Sequence, residues 1–219
     1  YTTVPYWEYF IVHDDTISLN NYTIGTSDAP IYYPFYTAYP ISRSQFIWRA
    51  SELTAAGMVA GNITGLDFDI LSAGYTMQHL KIKMKTTISD EFSTNIFETG
   101  VALTVYDQTT TFSIGNGAVD FLTPFYWDGV SNILIEVTYQ NNDFTGLSYL
   151  TGAQDPGFTS ALTTSSYDKY IEFYNPDYAD VIGNPLSDLS EQVTVSFWSQ
   201  GDAAYQPQNG TTFEATTIS

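Results

Sequence analysis

A tight-turn signal followed at once by a strand pattern is the feature that most constrains the fold of this chain. The aromatic segment 124–127 ends at Asp128-Gly129, and a strand pattern begins at Ile133. Asp-Gly supplies the left-handed backbone that a tight connection between strands needs. In the strand, four apolar residues at period two share one face: Ile133, Ile135, Val137 and Tyr139. The pattern predicts the central hairpin of an all-β domain.

The same alternation recurs along the chain. The alternating apolar sets are Leu66, Phe68 and Ile70; Leu80, Ile82 and Met84; Val101, Leu103 and Val105; Val119 and Phe121; and Val193, Val195 and Phe197. Short alternating strands separated by Gly, Asn and Asp turns are typical of a sandwich or jelly roll. The best helical segment is 50–57, which ends at a glycine able to cap it. The sequence therefore predicts an all-β, jelly-roll-like antiparallel β-sandwich.

The length fits a single sandwich with three regions. A chain of 219 residues suits one β-sandwich and can bury a core without disulfides, and it contains no cysteine. We expect residues 1–40 to form an aromatic-rich N-terminal arm or edge segment packed on the domain. Residues 41–202 are expected to form the sandwich core, and residues 203–219 a polar tail or linker. Prolines confine the Tyr-rich stretch 31–40 to edge or extended structure.

The charge balance excludes some partners and indicates a compartment. The chain carries 24 acidic and six basic residues, with a net charge of −18. This charge repels phosphate backbones and anionic lipid heads, so nucleic-acid binding and membrane-surface binding are disfavoured. No window approaches the ~18 apolar residues of a membrane span, so membrane insertion is not expected. Abundant Tyr, Thr, Ser, Asn and Gly with few lysines favour an extracellular or cell-surface protein.

Several blocks between Ile24 and Asn141 carry a family resemblance. They are Ile24-Gly25-Thr26, Tyr32-Tyr33-Pro34-Phe35-Tyr36, Ser44-Gln45-Phe46-Ile47-Trp48, Asn62-Ile63-Thr64-Gly65-Leu66-Asp67-Phe68, and the segments 80–87 and 125–141. In this order and spacing they resemble a β-sandwich domain that recurs in secreted and cell-surface, adhesin-like proteins of the Bacteroidota. Those proteins accompany the type IX secretion and gliding-motility apparatus. The resemblance implies a jelly-roll-like building block of large exported proteins, without an established catalytic site.

Two groups of aspartates are candidate calcium ligands. Asp67 and Asp69 share one strand face. Asp177, Asp180 and Asp188, with Asn175 and Asn184, form a second candidate in an acidic, loop-rich segment. Calcium takes six to eight oxygen ligands, so loop carbonyls would have to complete either site. The alternative is solvated surface, because an acidic chain clusters aspartates by chance. Calcium is the cofactor that the pattern indicates, and nothing in the sequence requires one.

Three aromatic residues are candidates for stacking on sugar rings: Trp198, Tyr36 and Tyr39. The alternative is core packing, which aromatic residues dominate energetically. Trp198 lies on the polar face of its strand, opposite the apolar face, and is therefore expected to be exposed. For Tyr126 and Trp127 the packing interpretation is favoured.

Lysines at Lys81, Lys83 and Lys85 share one strand face. They predict an assembly stripe that docks on an acidic neighbour, including another copy of this chain. The alternative is a solvated edge strand that lysines protect from unwanted pairing. Separately, Thr16 follows an aspartate in a triplet that resembles the acceptor of Bacteroidota protein O-glycosylation.

No catalytic motif is found in the sequence. A Gly-x-Ser-x-Gly elbow, a Cys/His pair and a phosphate-binding glycine loop are all missing, so we expect the chain not to be an enzyme. The first hypothesis is a non-catalytic extracellular module of a bacterial surface protein, acting in adhesion or as a structural unit beside other copies or neighbouring domains. The alternative is a carbohydrate-binding module of a secreted polysaccharide-degrading enzyme, with glycans as partners.

Overall fold

The computed structural model describes residues 20–100, 102–142, 146–166, 187–189 and 191–199. These residues form one short helix, α1 (Ala50–Ala55), and fourteen strands. The strands are β1 (Asn20–Ile24), β2 (Ala29–Ile31), β3 (Ile41–Trp48), β4 (Gly61–Phe68), β5 (Ile70–Ser72), β6 (Met77–Thr87), β7 (Leu103–Thr110), β8 (Gly117–Trp127), β9 (Asn132–Gln140), β10 (Leu150–Gln154), β11 (Ala161–Ser166), β12 (Ser187–Leu189), β13 (Gln192–Val193) and β14 (Val195–Ser199).

The strands form two main sheets and one small sheet. The six-stranded sheet has the order β12-β11-β3-β9-β6-β7, and the four-stranded sheet has the order β1-β14-β4-β8. The small sheet consists of β13-β10-β2, with β5 also paired to β10. Pairing is antiparallel, and the long strands switch between the main sheets along the chain, as in a jelly roll. The prediction of a jelly-roll-like antiparallel β-sandwich is confirmed.

Aromatic side chains join the two main sheets. The rings of Trp48 on β3 and Phe197 on β14 meet edge to face, with centroids 5.8 Å apart, and both are fully buried. Phe35 and Phe68 make a similar contact at 4.9 Å. Edge-to-face pairs add to the stabilisation from burying the rings themselves. Phe35 belongs to the predicted N-terminal arm, so the described part of that arm contributes to the core. Residues 1–19 and 203–219 lie outside the described residues.

The Asp128-Gly129 turn connects the two sheets and does not close a hairpin. β8 pairs with β4 in the four-stranded sheet, whereas β9 pairs with β3 and β6 in the six-stranded sheet. The hairpin prediction is therefore wrong. The local turn chemistry is as expected, because Gly129 has φ +81° and Asp128 Oδ1 accepts hydrogen bonds from the backbone N–H groups of Val130 and Ser131. Trp127 Nε1 donates to Ser131 O at 2.7 Å and fixes the crossing.

Helix α1 matches the predicted segment. Gly57 follows it at φ +94°, a conformation that favours glycine at the end of a helix. The Glu52 carboxylate accepts a hydrogen bond from the backbone N–H of Arg49, and Leu53 is fully buried. Within the described residues, no helix has the length and apolar content needed to cross a bilayer.

A loop after β6 covers the outer face of the six-stranded sheet. Phe92 and Phe97 of this covering loop (residues 88–100) form a second apolar cluster with Ile47, Leu134 and Leu162. As a result, β9 is buried on both faces, although its sequence pattern predicts one buried face. The second face is buried by contacts with the covering loop. The alternation within β9 does not predict these contacts, because they involve residues distant in the sequence.

A polar network lies beneath the covering loop. Glu136 Oε2 accepts hydrogen bonds from Arg43 Nε at 2.8 Å, Arg43 Nη2 at 2.6 Å and Gln45 Nε2 at 2.8 Å. The guanidinium of Arg43 also lies 4.3 Å from the ring centroid of Phe97. Lys83 Nζ is 3.6 Å from Glu136 Oε1. The buried carboxylate of Glu136 is thus paired with two cationic side chains and hydrogen-bonded, as a buried charge requires.

Lysines of β6 take part in this network. Lys85 Nζ lies 3.0 Å from Glu98 Oε2, and the side chains of Lys83 and Lys85 are 20% and 16% exposed. Although partial burial opposes ionisation of Glu98, hydrogen bonds to its carboxylate lower its pKa. The edge-strand interpretation is wrong, because β6 pairs with β9 on one side and with β7 on the other. The assembly role of Lys81, Lys83 and Lys85 stays a prediction, and all three lysines have interactions within the chain.

Replacing Glu136 by Gln is expected to lower the free energy of unfolding by about 3 kcal/mol, because Arg43 and Lys83 lose their partner carboxylate in a buried setting. Urea unfolding followed by tryptophan fluorescence measures the change. Glu91→Gln is the matched control: it removes an exposed pair in which Glu91 lies 3.9 Å from Arg49, and it should cost under ~1 kcal/mol. Equally small losses for the two variants would contradict the importance of the network.

Candidate ligand-binding face of the four-stranded sheet

The outer face of the four-stranded sheet carries the aromatic and acidic residues singled out in the sequence. On β14, Val195 and Phe197 point into the core, so Ser196 and Trp198 point outward. On β4, Leu66 and Phe68 are buried, and Asp67 between them is on the outer side. The period of two that builds the core therefore also sets the composition of this face.

Trp198 lies across the backbone of β4. It is opposite Gly65 in the β14–β4 register and opposite Asn21 in the β1–β14 register. A Cβ atom on Gly65 would lie 2.5 Å from Cε3 of the indole, so the ring occupies the space that a side chain would need. The ring is half-buried, with β4 beneath it. The sequence predicts an exposed Trp198, and the structure turns this side chain away from the core but leaves it only partly exposed.

Tyr126 is a second aromatic residue on the same face. Its side chain is 59% exposed, whereas its neighbours Phe125 and Trp127 are buried in the core. It lies opposite Asn62 of β4. The packing interpretation is confirmed for Trp127 and wrong for Tyr126. The reason is again the period of two, which turns the middle residue of the aromatic run outward.

A polar pocket of about 340 Å³ opens at the other end of this face. Its lining is dominated by hydroxyls and two carboxylates, from Thr23, Ser27, Asp67, Asp69, Thr194 and Ser196. Asp67 Oδ1 accepts a hydrogen bond from Gly117 N at 3.1 Å, and the Ser27 hydroxyl donates to Asp69 Oδ2. Ser196 lies two residues before Trp198 on β14, so the pocket and the indole are neighbours on one surface.

The electrostatics of the pocket disfavour a second negative charge. Partial burial raises the pKa of Asp67, and the nearby carboxylate of Asp69 raises it further, against the opposing hydrogen bond from Gly117. Among the described residues, every Lys and Arg lies on β3 or β6, or directly after β3 at Arg49. The described basic residues therefore lie on or beside the six-stranded sheet, whereas acidic residues occur on both main sheets.

The structure brings one predicted calcium pair together and leaves the other untested. Asp67 and Asp69 line the same pocket, beside hydroxyl groups. In the described ranges, no group of three or more His, Cys, Asp or Glu side chains converges as metal ligands. Calcium at this pair stays a prediction that needs hydroxyl or carbonyl ligands. Asp177, Asp180 and the predicted glycosylation residue Thr16 lie outside the described residues.

Tyr36 and Tyr39 belong to a separate tyrosine cluster. The Tyr36 ring stacks on Tyr32 with centroids 4.9 Å apart and meets Tyr39 and Tyr33 edge to face at 5.0 and 5.5 Å. Partial burial and the three neighbouring phenols raise the pKa of Tyr36. This cluster follows β2 in the chain, whereas Trp198 lies on β14. The aromatic residues predicted to bind carbohydrate therefore divide between two surfaces.

Comparison with known proteins identified no relative of this chain. No family model, no curated protein and no solved structure matches the chain. A functional conclusion therefore depends on the residues of the face and their geometry.

Replacing Asp67 by Asn is expected to raise the thermal unfolding temperature at pH 7. The pKa of Asp67 is raised on folding, so its ionised form costs stability at neutral pH, and this cost disappears as the pH falls through the folded pKa. The advantage of the Asn variant should therefore shrink in acid. Scanning calorimetry across pH measures the effect.

The matched control is Asp120→Asn, which removes the same charge from an exposed position of β8. It should change the unfolding temperature less than Asp67→Asn does. An equal gain for both variants would assign the effect to net charge and not to the pocket.

Proposed function

We propose that the chain is a non-catalytic module of an extracellular, cell-surface protein and that it adheres by binding carbohydrate on the outer face of the four-stranded sheet. The observation that carries this proposal is the indole of Trp198 lying across Gly65. A flat aromatic ring that is supported by β4 and partly exposed suits the apolar C–H face of a sugar ring.

Polar groups around Trp198 suit the hydroxyls of a sugar. Asn21 and Thr23 on β1, Ser196 on β14 and Asp120 on β8 lie on the same outer face. Amides and hydroxyls both donate and accept hydrogen bonds, and carboxylates accept them, so a sugar hydroxyl can be matched in either role. An apolar platform with a few polar groups around it is the usual composition of a small-ligand site.

The placement of the pocket carboxylates supports binding without cleavage. Hydrolysis of a glycosidic bond needs two carboxyl groups on opposite sides of the bond. The two carboxylates of the pocket, Asp67 and Asp69, come from one stretch of chain at the end of β4. The same face would also serve a carbohydrate-binding module of a secreted polysaccharide-degrading enzyme, and the two hypotheses differ in what the remainder of the protein does.

The surface setting is supported by composition and by the family resemblance. The chain is acidic and poor in lysine, and its blocks resemble an adhesin-like Bacteroidota domain. A shallow face gives weak binding at one site. Many copies along a surface protein or assembly would sum such contacts into firm adhesion.

Replacing Trp198 by Ala is expected to weaken binding to soluble polysaccharides about tenfold or more, or by ~1.4 kcal/mol or more, because the central platform is lost. Affinity electrophoresis against a panel of plant, algal and bacterial polysaccharides measures the change. Trp198→Phe should retain part of the affinity.

Tyr32→Ala is the matched control, because Tyr32 is 49% exposed and belongs to the tyrosine cluster. Loss of binding in this variant, with Trp198→Ala unaffected, would move the site to that cluster. Absence of binding to the whole panel by the wild-type chain would contradict the proposed function.

A structural role in assembly is the second candidate. The observation in its favour is β1, which pairs with β14 and is an edge strand of the described four-stranded sheet. An edge strand can accept a strand from a second chain. Light scattering over a concentration series should then show oligomers, and electron microscopy should show ordered assemblies. A monomer at all concentrations would contradict this candidate and leave carbohydrate binding unaffected.

A further inference from the structure

We infer that the ligand of this face is an extended, uncharged polysaccharide chain that lies along β4, in contact with both Trp198 and Tyr126. This inference rests on the proposed function and adds the length and charge class of the ligand. Its basis is the juxtaposition of two outward aromatic residues on the strands that flank β4.

The two aromatic residues occupy opposite sides of β4. Trp198 on β14 is level with Gly65, and Tyr126 on β8 is level with Asn62. Two strand spacings separate β14 from β8, so the Cα atoms of the two residues lie about 9 to 10 Å apart across the sheet. They are also offset along β4. One sugar ring cannot contact both, whereas a chain of several sugars can.

The polar pocket lies further along β4, on the side of Trp198 away from Tyr126. Asn62 lies beside Tyr126, Gly65 beside Trp198, and Asp67 and Asp69 in the pocket wall, so β4 runs past all three features in order. From Asn62 to Asp69 the chain covers seven steps, or roughly 20 Å at the rise of a β-strand. A surface with contacts distributed over this length fits a linear chain better than a terminal sugar.

Charge excludes acidic glycans from this line. Asp67, Asp69 and Asp120 lie on or beside it, whereas the described Lys and Arg side chains lie on or next to the six-stranded sheet. A uronate or sulfate group would meet carboxylates with no basic residue of the described ranges to pair with. An uncharged chain presents hydroxyl groups instead. These groups donate hydrogen bonds to carboxylates and bring no charge that the carboxylates would repel.

The test uses the whole chain and two sets of probes. The first set compares neutral polysaccharides (mannan, xylan and mixed-linkage glucan) with acidic ones (alginate and polygalacturonate) in affinity electrophoresis at low salt. The second set consists of oligosaccharides of the best neutral binder, from disaccharide to hexasaccharide, measured by calorimetry. We expect binding to neutral chains alone, with affinity that rises about tenfold or more from disaccharide to hexasaccharide.

Two variants distinguish a ligand that extends along β4 from one that contacts Trp198 alone. Tyr126→Ala should weaken hexasaccharide binding about tenfold and leave disaccharide binding unchanged, because a short ligand stays at Trp198. Trp198→Ala should weaken binding of both lengths. Tyr75→Ala is the control, since Tyr75 is 51% exposed and lies between β5 and β6, outside the four-stranded sheet. Thermal unfolding confirms that each variant is folded.

The results test the length of the ligand, its charge and its placement along β4 separately. Equal affinity for disaccharide and hexasaccharide, or unchanged hexasaccharide binding in Tyr126→Ala, would overturn the extended ligand while the Trp198→Ala effect upholds the proposed function. Binding of alginate or polygalacturonate as tight as that of neutral chains would overturn the charge class. Loss of hexasaccharide binding in Tyr75→Ala would overturn the placement along β4. Failure of every polysaccharide to bind would overturn both proposals.

Discussion

Insertion of β14 between β1 and β4 is the pairing on which the four-stranded sheet and its outer face depend. It brings together segments from three distant parts of the chain, with Phe197 opposite both Tyr22 and Leu66. The register matters as much as the pairing. A slip of one residue would turn Trp198 into the core and Phe197 out to solvent. Burial of Phe197 against Trp48 opposes such a slip, so core packing also holds the indole in place on the outer face.

The two main sheets treat their outer faces differently. On the six-stranded sheet, the covering loop and the network around Glu136 bury the outer side chains of β9 and engage Lys83 and Lys85 in ion pairs. On the four-stranded sheet, the described residues place no such cover over Trp198, Tyr126 and the pocket. One face of the sandwich thus serves stability, and the other presents aromatic and acidic groups to solvent. This contrast locates the candidate ligand-binding face.

Some residues of the open face are poorly explained by stability. Folding raises the pKa of Asp67, so its charge at neutral pH opposes the folded state. Tyr126 exposes an apolar ring, and Gly65 gives up a side chain in the interior of a strand. Residues that cost stability persist where function needs them, and binding sites are the usual place. The three residues lie on one surface, which supports reading that surface as a binding site.

The sequence by itself determined the strands and the direction of most side chains. A period of two, readable within a few residues, already places Val195 and Phe197 inside and Trp198 outside, and Gly57 marks the end of α1. The tertiary structure decided which strands pair and what covers them. β8 and β9 are joined by a tight turn yet belong to different sheets, and the covering loop buries a face of β9 that its pattern leaves open. The physical reason is that alternation is a local property, whereas pairing depends on packing between residues far apart in the chain, such as Trp198 with Gly65.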